Sequence, residues 1–170
     1  MPEPALSLSI QVQAATPADG PAIERLSERA FGPGRFARTA YRLRETAGEE
    51  VVRRFVARVS TLLVGANQLT PVRCGHAPAL LLGPLVVDPA FQSRGVARAL
   101  VGVALDAARS AADRLVILVG DEPYYRRFGF TRVAPGRLTL PGPVDPSRLL
   151  VLELEPGGFE DVRGRVTAGW

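Results

Sequence analysis

Leu8, Ile10 and Val12 alternate with polar neighbours, so residues 8–13 read as a strand with one apolar face. Thr16 before Pro17 has the form of a helix start, a capping residue followed by a first-turn proline. Ile23, Leu26, Ala30 and Phe31 recur at helical spacing until Gly32-Pro33-Gly34 breaks the pattern. A second helix is predicted over Phe36–Ala47, ending near Gly48. Arg54–Val59 and Leu62–Thr70 are β-rich runs around Ser60-Thr61, a predicted hairpin. Arg73-Cys74-Gly75-His76 reads as a turn and Ala79–Val87 as the next strand. Ala97–Ala112 is apolar nearly all round, with Arg98, Asp106 and Arg109 on the wet side, which predicts a helix buried against a sheet. Leu115–Val119 is five unbroken apolar residues, the pattern of a strand covered on both faces. A short helix over Pro123–Arg127 and a strand over Phe130–Val133 follow. Leu138–Leu140 and Leu149–Leu154 then read as a closing strand pair around Pro141–Ser147. The order β-α-α-β-β-β-α-β-α-β-β predicts a mixed α/β fold on a central sheet. Residues 1–156 read as one domain and 157–170 as a tail without clear period, Phe159 and Trp170 packing back on the body.

Composition narrows the function classes. A chain of 170 residues, 46% of them hydrophobic, suits one domain with a single core. The longest apolar stretch, 77–87, is broken by Pro78, Gly83 and Pro84 and falls short of the roughly 20 residues that span a bilayer. The N-terminus has no basic region of the secretory kind, and Cys74 stands alone. These features predict a cytoplasmic protein with no membrane partner, no disulfide and no cysteine metal cluster. The net charge of +4 rests on 21 arginines and no lysine, scattered from Arg25 to Arg165. Nucleic-acid binding wants a basic stripe with a recognisable motif, so no nucleic-acid partner is expected. A pocket for a polyanionic small molecule accounts for the charge equally well.

The hexapeptide Gln92-Ser93-Arg94-Gly95-Val96-Ala97 joins the strand ending at Val87 to the helix beginning near Ala97. A helix start leaves backbone N–H groups without partners, and the helix dipole adds partial positive charge. A loop that aims those groups at one point holds phosphate. Gly95 lets an anion approach the backbone, and Gln92 and Arg94 add side-chain donors. A Walker A loop is excluded in its usual form by the absence of lysine, and Gly95 lacks the glycine spacing of a dinucleotide fold. A plain left-handed turn between strand and helix fits the hexapeptide as well as a phosphate cradle does. Upstream, Gly83 and Pro84 interrupt a central strand, where proline is expected only at an edge or a bulge. A bulge would turn backbone groups of Leu85 to Val87 away from the neighbouring strand. Such donors beside an anion cradle suit a ligand with a phosphate end and an amide-bearing arm.

The segment LGPLVVDPAFQSRGVARALV resembles the cofactor motif of the GNAT superfamily of N-acetyltransferases, whose loop pattern is [RQ]-x-x-G-x-[GA]. Gln92, Gly95 and Ala97 fill its defining positions. DEPYYRRFGFTRV, residues 121–133, is similar to the second family signature, with a tyrosine four residues before the glycine of a Gly-Phe pair. The resemblance covers the chain to about Pro156. It implies a mostly antiparallel sheet splayed at strands 4 and 5, with helices on both faces. It also implies acetyl-CoA or another acyl-CoA as co-substrate, with no metal, and an acyl group passed directly to an amine of a small molecule or peptide. The pyrophosphate would rest on the loop Gln92, Ser93, Arg94, Gly95, Val96, Ala97 and Arg98. The pantetheine arm would pair with backbone at Leu85, Val86 and Val87, where one N–H would polarise the thioester carbonyl.

Tyr125 would protonate the leaving thiolate. A phenol of pKa near 10 can serve a thiolate whose conjugate acid lies near 8.5. Tyr124 is expected as a core aromatic. The chain departs from the family pattern in two places. Asp121-Glu122-Pro123 stands where many relatives carry an asparagine, and no acidic residue lies on Ala79–Val87 to act as base. His76, ordered water or backbone carbonyls could take the amine proton instead. A GNAT-shaped acyl-CoA binder with weak or no catalysis is the alternative function, and a homodimer is compatible with the sequence. The acceptor is expected to lie among the two N-terminal helices and the loops at Gly32-Pro33-Gly34 and Pro141–Ser147.

Overall fold

The computed structural model describes residues 8–31, 43 and 52–169. Among them, ten strands form one sheet: β1 (Ile10–Ala14), β2 (Arg53–Val59), β3 (Leu62–Cys74), β4 (Ala77–Leu82), β5 (Val86–Val87), β6 (Leu115–Val119), β7 (Thr131–Arg132), β8 (Leu138–Thr139), β9 (Leu149–Glu153) and β10 (Gly164–Ala168). The main path runs β1-β2-β3-β4-β6-β9-β7. Every pairing is antiparallel except β4 with β6 and β8 with β10. The helices α1 (Gly20–Phe31), α2 (Val96–Ser110) and α3 (Glu122–Tyr125) accompany the sheet among the described residues. No helix among the described residues is long and apolar enough to cross a membrane. The fold is mixed α/β with a mostly antiparallel open sheet.

The two-residue period of the strands sorts their side chains onto two buried faces. Leu80, Leu82, Val116, Leu118, Leu150 and Leu152 meet the apolar side of α2 at Leu100, Val101, Ala104 and Ala108. The alternate residues Leu81, Ile117 and Val151 build a second core with Val72 and Cys74. Further along that second face, Leu26 of α1 packs on Val56, Ala66 and Val86. α1 and α2 thus lie on opposite faces, and over β6 the second face is covered by Val133, Leu138, Phe159 and Val162, so β6 is buried on both sides and carries no polar residue. Of the helix expected over 36–47, Leu43 alone is described, and it is buried in the second core.

Three features correct the sequence reading. First, β3 does not stop at Thr70 but continues through Pro71 to Cys74. The carbonyl of Pro71 accepts from Gly169 N–H at 3.0 Å, on the edge where β2 has ended and β10 begins. The missing proline N–H therefore faces a gap in the ladder and costs no sheet bond. Second, β8 and β9 are not partners. β8 lies parallel to β10, and β9 lies between β6 and β7. Third, the segment after Pro156 is part of the sheet, because β10 pairs with both β3 and β8. Trp170 lies outside the described residues.

Arg137 fastens this last segment. Its Nε donates to Val162 O at 2.9 Å, its Nη2 donates to Phe159 O, and its guanidinium stacks 3.7 Å from the centre of the Phe159 ring. Phe159 itself is buried. Charged hydrogen bonds contribute about 1.5–3 kcal/mol each. We therefore expect Arg137→Leu to lower the unfolding free energy by about 3 kcal/mol in urea titration, with the loss centred on residues 156–168 in hydrogen exchange.

Candidate active site

The sheet opens where β4 ends. β4 and β6 pair through Leu80–Val116 and Leu81–Ile117, and no further. Gly83, with φ of 123°, turns the chain out of line, and the strand resumes as β5. β5 pairs with β3 alone, Gly65 opposite Val87 and Ala66 opposite Val86. β6 meanwhile runs on to Val119 beside β9. The interruption expected at Gly83-Pro84 is thus a break between two short strands, with the ladder to β3 kept by Gly83 N–H to Gln68 O at 2.9 Å and Asp88 N–H to Val64 O at 2.8 Å. Leu85, Val86 and Val87 line one side of the opening, and their edge toward β6 has no partner strand among the described residues.

The loop after β5 enters α2 at this opening. Asp88 caps its short 3₁₀ turn by accepting from Ala90 N–H at 2.9 Å, and pairs with Arg29 of α1 at 3.2 Å. Ser93 and Gly95 have positive φ, 62° and 87°. Gly95 occupies the N-cap position with no side-chain cap, and its carbonyl accepts from Ala99 N–H at 3.0 Å. The amides of Gly95, Val96, Ala97 and Arg98 find no hydrogen-bond partner among the described residues. A Cβ placed on Gly95 would meet nothing within 4 Å. Gln92, Ser93, Arg94 and Arg98 are exposed around that space, whereas the Val96 side chain is buried in the core and offers the loop only its amide. This set of donors, open space and cations fits a diphosphate at a helix start.

Two residues unremarked in the sequence seat α2 there. A Cβ on Gly65 would lie 2.8 Å from Val96 Cγ1 and 2.9 Å from Leu100 Cδ1, so a glycine lets the first turns of α2 settle on β3. Asn67, also buried, donates from Nδ2 to Leu100 O at 3.1 Å. The signal for Gly65 was available: an isolated glycine inside a strand marks a close approach.

Tyr125 stands across the opening, at the end of β6. Its ring packs edge-on against Tyr124 (5.0 Å between centroids, 89°) and Phe130 (5.9 Å, 73°). A Cβ on Gly120 would fall 2.5 Å from Tyr125 Cε2, so the bare glycine after β6 makes the ring's berth. Burial first, then the charges of Tyr124 and Asp121, push its phenol up to about 12, against a smaller opposing effect of Arg148. Tyr124 is not the core aromatic that was expected. It is half-buried, with the Arg127 guanidinium 4.5 Å from its ring centre, and the buried aromatic of this segment is Phe130. Asp121 O accepts from the amides of both tyrosines at 3.1 Å, and the Asp121 carboxylate pairs with Arg148 at 3.4 Å.

On the face away from α2, β3 carries a polar chain beside the strand break. Arg54 Nε donates to Gln68 Oε1 at 3.3 Å, and Gln68 Nε2 donates to fully buried Thr70 Oγ1 at 3.1 Å. Cys74 and His76 lie elsewhere. Cys74 is nine residues along β3 from Gly65, about 30 Å at strand rise, and burial pushes its thiol up to about 12. His76 is exposed at the turn before β4, about 20 Å from the strand break on the same measure. Neither is placed to act at the opening. We expect Cys74→Ala to leave turnover within about twofold and to destabilise the fold by about 1 kcal/mol. A steady-state assay beside a urea titration checks both.

Residues 52–132 match the family model for an acetyltransferase (GNAT) domain. The chain is 29% identical over 152 residues to YhbS of Escherichia coli K12, an uncharacterized N-acetyltransferase, covering 88% of this chain and 90% of that protein. The crystal structure of E. coli YhbS in complex with CoA superposes with a TM-score of 0.81 at 27% identity, over 99% of this chain and 93% of that one. A GNAT family acetyltransferase from Brucella melitensis, solved with acetyl-CoA, gives a TM-score of 0.71 at 26% identity, over 95% and 96% of the two chains. Sheet order, helix placement and these likenesses agree: the chain has the fold of the GNAT acetyltransferases, and residues 52–132 match their acetyltransferase domain.

Proposed function

We propose that this enzyme transfers the acetyl group of acetyl-CoA directly to a primary amine of a small molecule or peptide, both substrates being bound together. The observation that carries the reading is the pairing of unpartnered amides at Gly95–Arg98 with an unpartnered β5 edge, facing Tyr125 across one opening. Acetyl-CoA brings the thioester and, in CoA, a good leaving group. The amides of Gly95 to Arg98, with Gln92, Ser93 and Arg94, hold its diphosphate. Backbone groups of Leu85, Val86 and Val87 hold the amide-bearing arm. One such N–H aimed at the thioester oxygen is worth about 2.7–4 kcal/mol in barrier height, by the measure of other oxyanion donors. The amine nitrogen bonds to the carbonyl carbon, the C–S bond breaks, the sulfur takes the Tyr125 proton, and the proton shed by the nitrogen returns through water to the phenolate. A covalent route through Cys74 is disfavoured by its place and its raised thiol pKa.

Thermal unfolding tests the first step. At about 100 times its dissociation constant, acetyl-CoA should stabilise the fold by about 2.7 kcal/mol, a rise of roughly 5–10 °C for a domain of this size. Duplex DNA should produce no shift. Stabilisation by DNA and none by acetyl-CoA would overturn the reading.

A further inference from the structure

Resting on the proposed amine acetylation, we infer that the acceptor is a primary amine bearing an aromatic or branched aliphatic group, which enters a cavity between β8 and the start of β9 while Asp121 receives the ammonium, one proton of which passes to water before the nitrogen attacks. The cavity measures about 200 Å³ and is walled by Val133, Leu138, Leu140, Val144 and Leu149, with Thr139 as its one side-chain hydroxyl. A space of about 150 Å³ lined by apolar side chains suffices for benzene. Its walls belong to the core on the face opposite α2, so it lies on the side of the sheet away from the helix that cradles the diphosphate.

Strand register brings the cavity to the reacting end. Leu149 pairs with Val119, the last residue of β6, and Leu149 O accepts from Val133 N–H at 2.9 Å. Two residues beyond Val119 stands Asp121, close enough for its charge to bear on the Tyr125 phenol. Its present partner is Arg148, the neighbour of Leu149, at 3.4 Å, and the two side chains are 76% and 49% exposed. An exposed pair of this kind contributes little, so an ammonium can compete for the carboxylate. The other acids nearby are committed more tightly. Asp145 accepts from Ser147 N–H and Oγ at 2.9 and 2.8 Å, and Glu122 pairs with Arg126 and Arg132 at 3.0 and 2.8 Å. Thr139 apart, the side chains of its walls offer no polar partner, so an amine whose other end is charged or strongly polar gains less there than one with an apolar end.

The test uses the full chain saturated with acetyl-CoA and four amines: 2-phenylethylamine, 3-methylbutylamine, ethanolamine and spermidine. The first two should show kcat/KM at least tenfold above the last two. Val144→Trp, which fills the cavity, should raise KM for 2-phenylethylamine tenfold or more without changing acetyl-CoA affinity. Asp121→Asn should raise KM for the two preferred amines while leaving kcat near wild type. Should Val144→Trp fold poorly, Val144→Ala enlarges the cavity and should favour 3-phenylpropylamine over 2-phenylethylamine. Preference for spermidine or ethanolamine, equal use of all four, or an enzyme that binds acetyl-CoA and acetylates none of them would overturn the inference. Failure to bind acetyl-CoA would instead overturn the function beneath it.

Discussion

Gly95→Asp should weaken acetyl-CoA binding at least a hundredfold while leaving a folded protein. Position 95 sits at φ of 87°, and a Cβ there meets no atom within 4 Å. Aspartate tolerates the left-handed region better than most residues, so the cost to folding is small. The new carboxylate would stand in the space assigned to the diphosphate. Two like charges 4 Å apart repel by about 4 kcal/mol at an effective dielectric constant near 20, which is more than a hundredfold in affinity. Gly95→Asn has nearly the same shape and no charge, so it should lose markedly less. Calorimetry on the three proteins separates charge from bulk. Undiminished affinity in a folded Gly95→Asp protein would remove the diphosphate from this loop.

Tyr125→Phe should lower turnover by roughly ten- to a thousandfold, the effect expected when a general acid is lost and water partly replaces it. Acetyl-CoA affinity should change little, because the ring and its contacts with Tyr124 and Phe130 remain. Tyr124→Phe should be mild, since the half-buried ring keeps its packing against Tyr125 and Phe128. The pH dependence follows from burial. With the phenol pushed up to about 12 rather than 10, Tyr125 keeps its proton at every ordinary assay pH. The proton needed by the departing thiolate is thus present throughout, and the alkaline fall of kcat between pH 8 and 10, if one is seen, belongs to another group. Stability carries the same sign. The folded chain holds the Tyr125 proton more tightly than the unfolded chain, so its contribution is full below about pH 10 and is lost as pH rises toward 12. A kcat for Tyr125→Phe equal to wild type would make the tyrosine a packing residue.

Much of this arrangement was legible in residue order because the constraints were local. Leu115–Val119 announced a strand buried on both sides, and the structure places it between two cores. Gly83 and Pro84 inside an apolar run announced an irregularity, read as a bulge in one strand, because proline cannot extend a ladder at both edges; the structure makes it a break between β4 and β5. Gly95 before a helix announced a left-handed cap, and its φ is positive. What escaped notice depends on partners distant in sequence. In β10 only Val166 is buried, so the strand has no hydrophobic period, and its backbone pairing with β3 and β8 defines it. β8 is two residues long and offers no register of its own. The seat of α2 on Gly65 and Asn67, and the polar chain from Arg54 to Thr70, need strand neighbours that residue spacing does not name.

The central claim, that this chain is a working acetyltransferase whose chemistry occurs in the opening between β5 and β6, meets its most direct test in the release of CoA thiol. The wild-type enzyme should be given acetyl-CoA with a broad amine panel that includes polyamines, arylalkylamines and peptide N-termini. The account predicts thiol release that depends on the amine, matches N-acetylated product mole for mole, and falls sharply in both Gly95→Asp and Tyr125→Phe. Tight acetyl-CoA binding with no amine-dependent release, or release unaffected by either substitution, would contradict it.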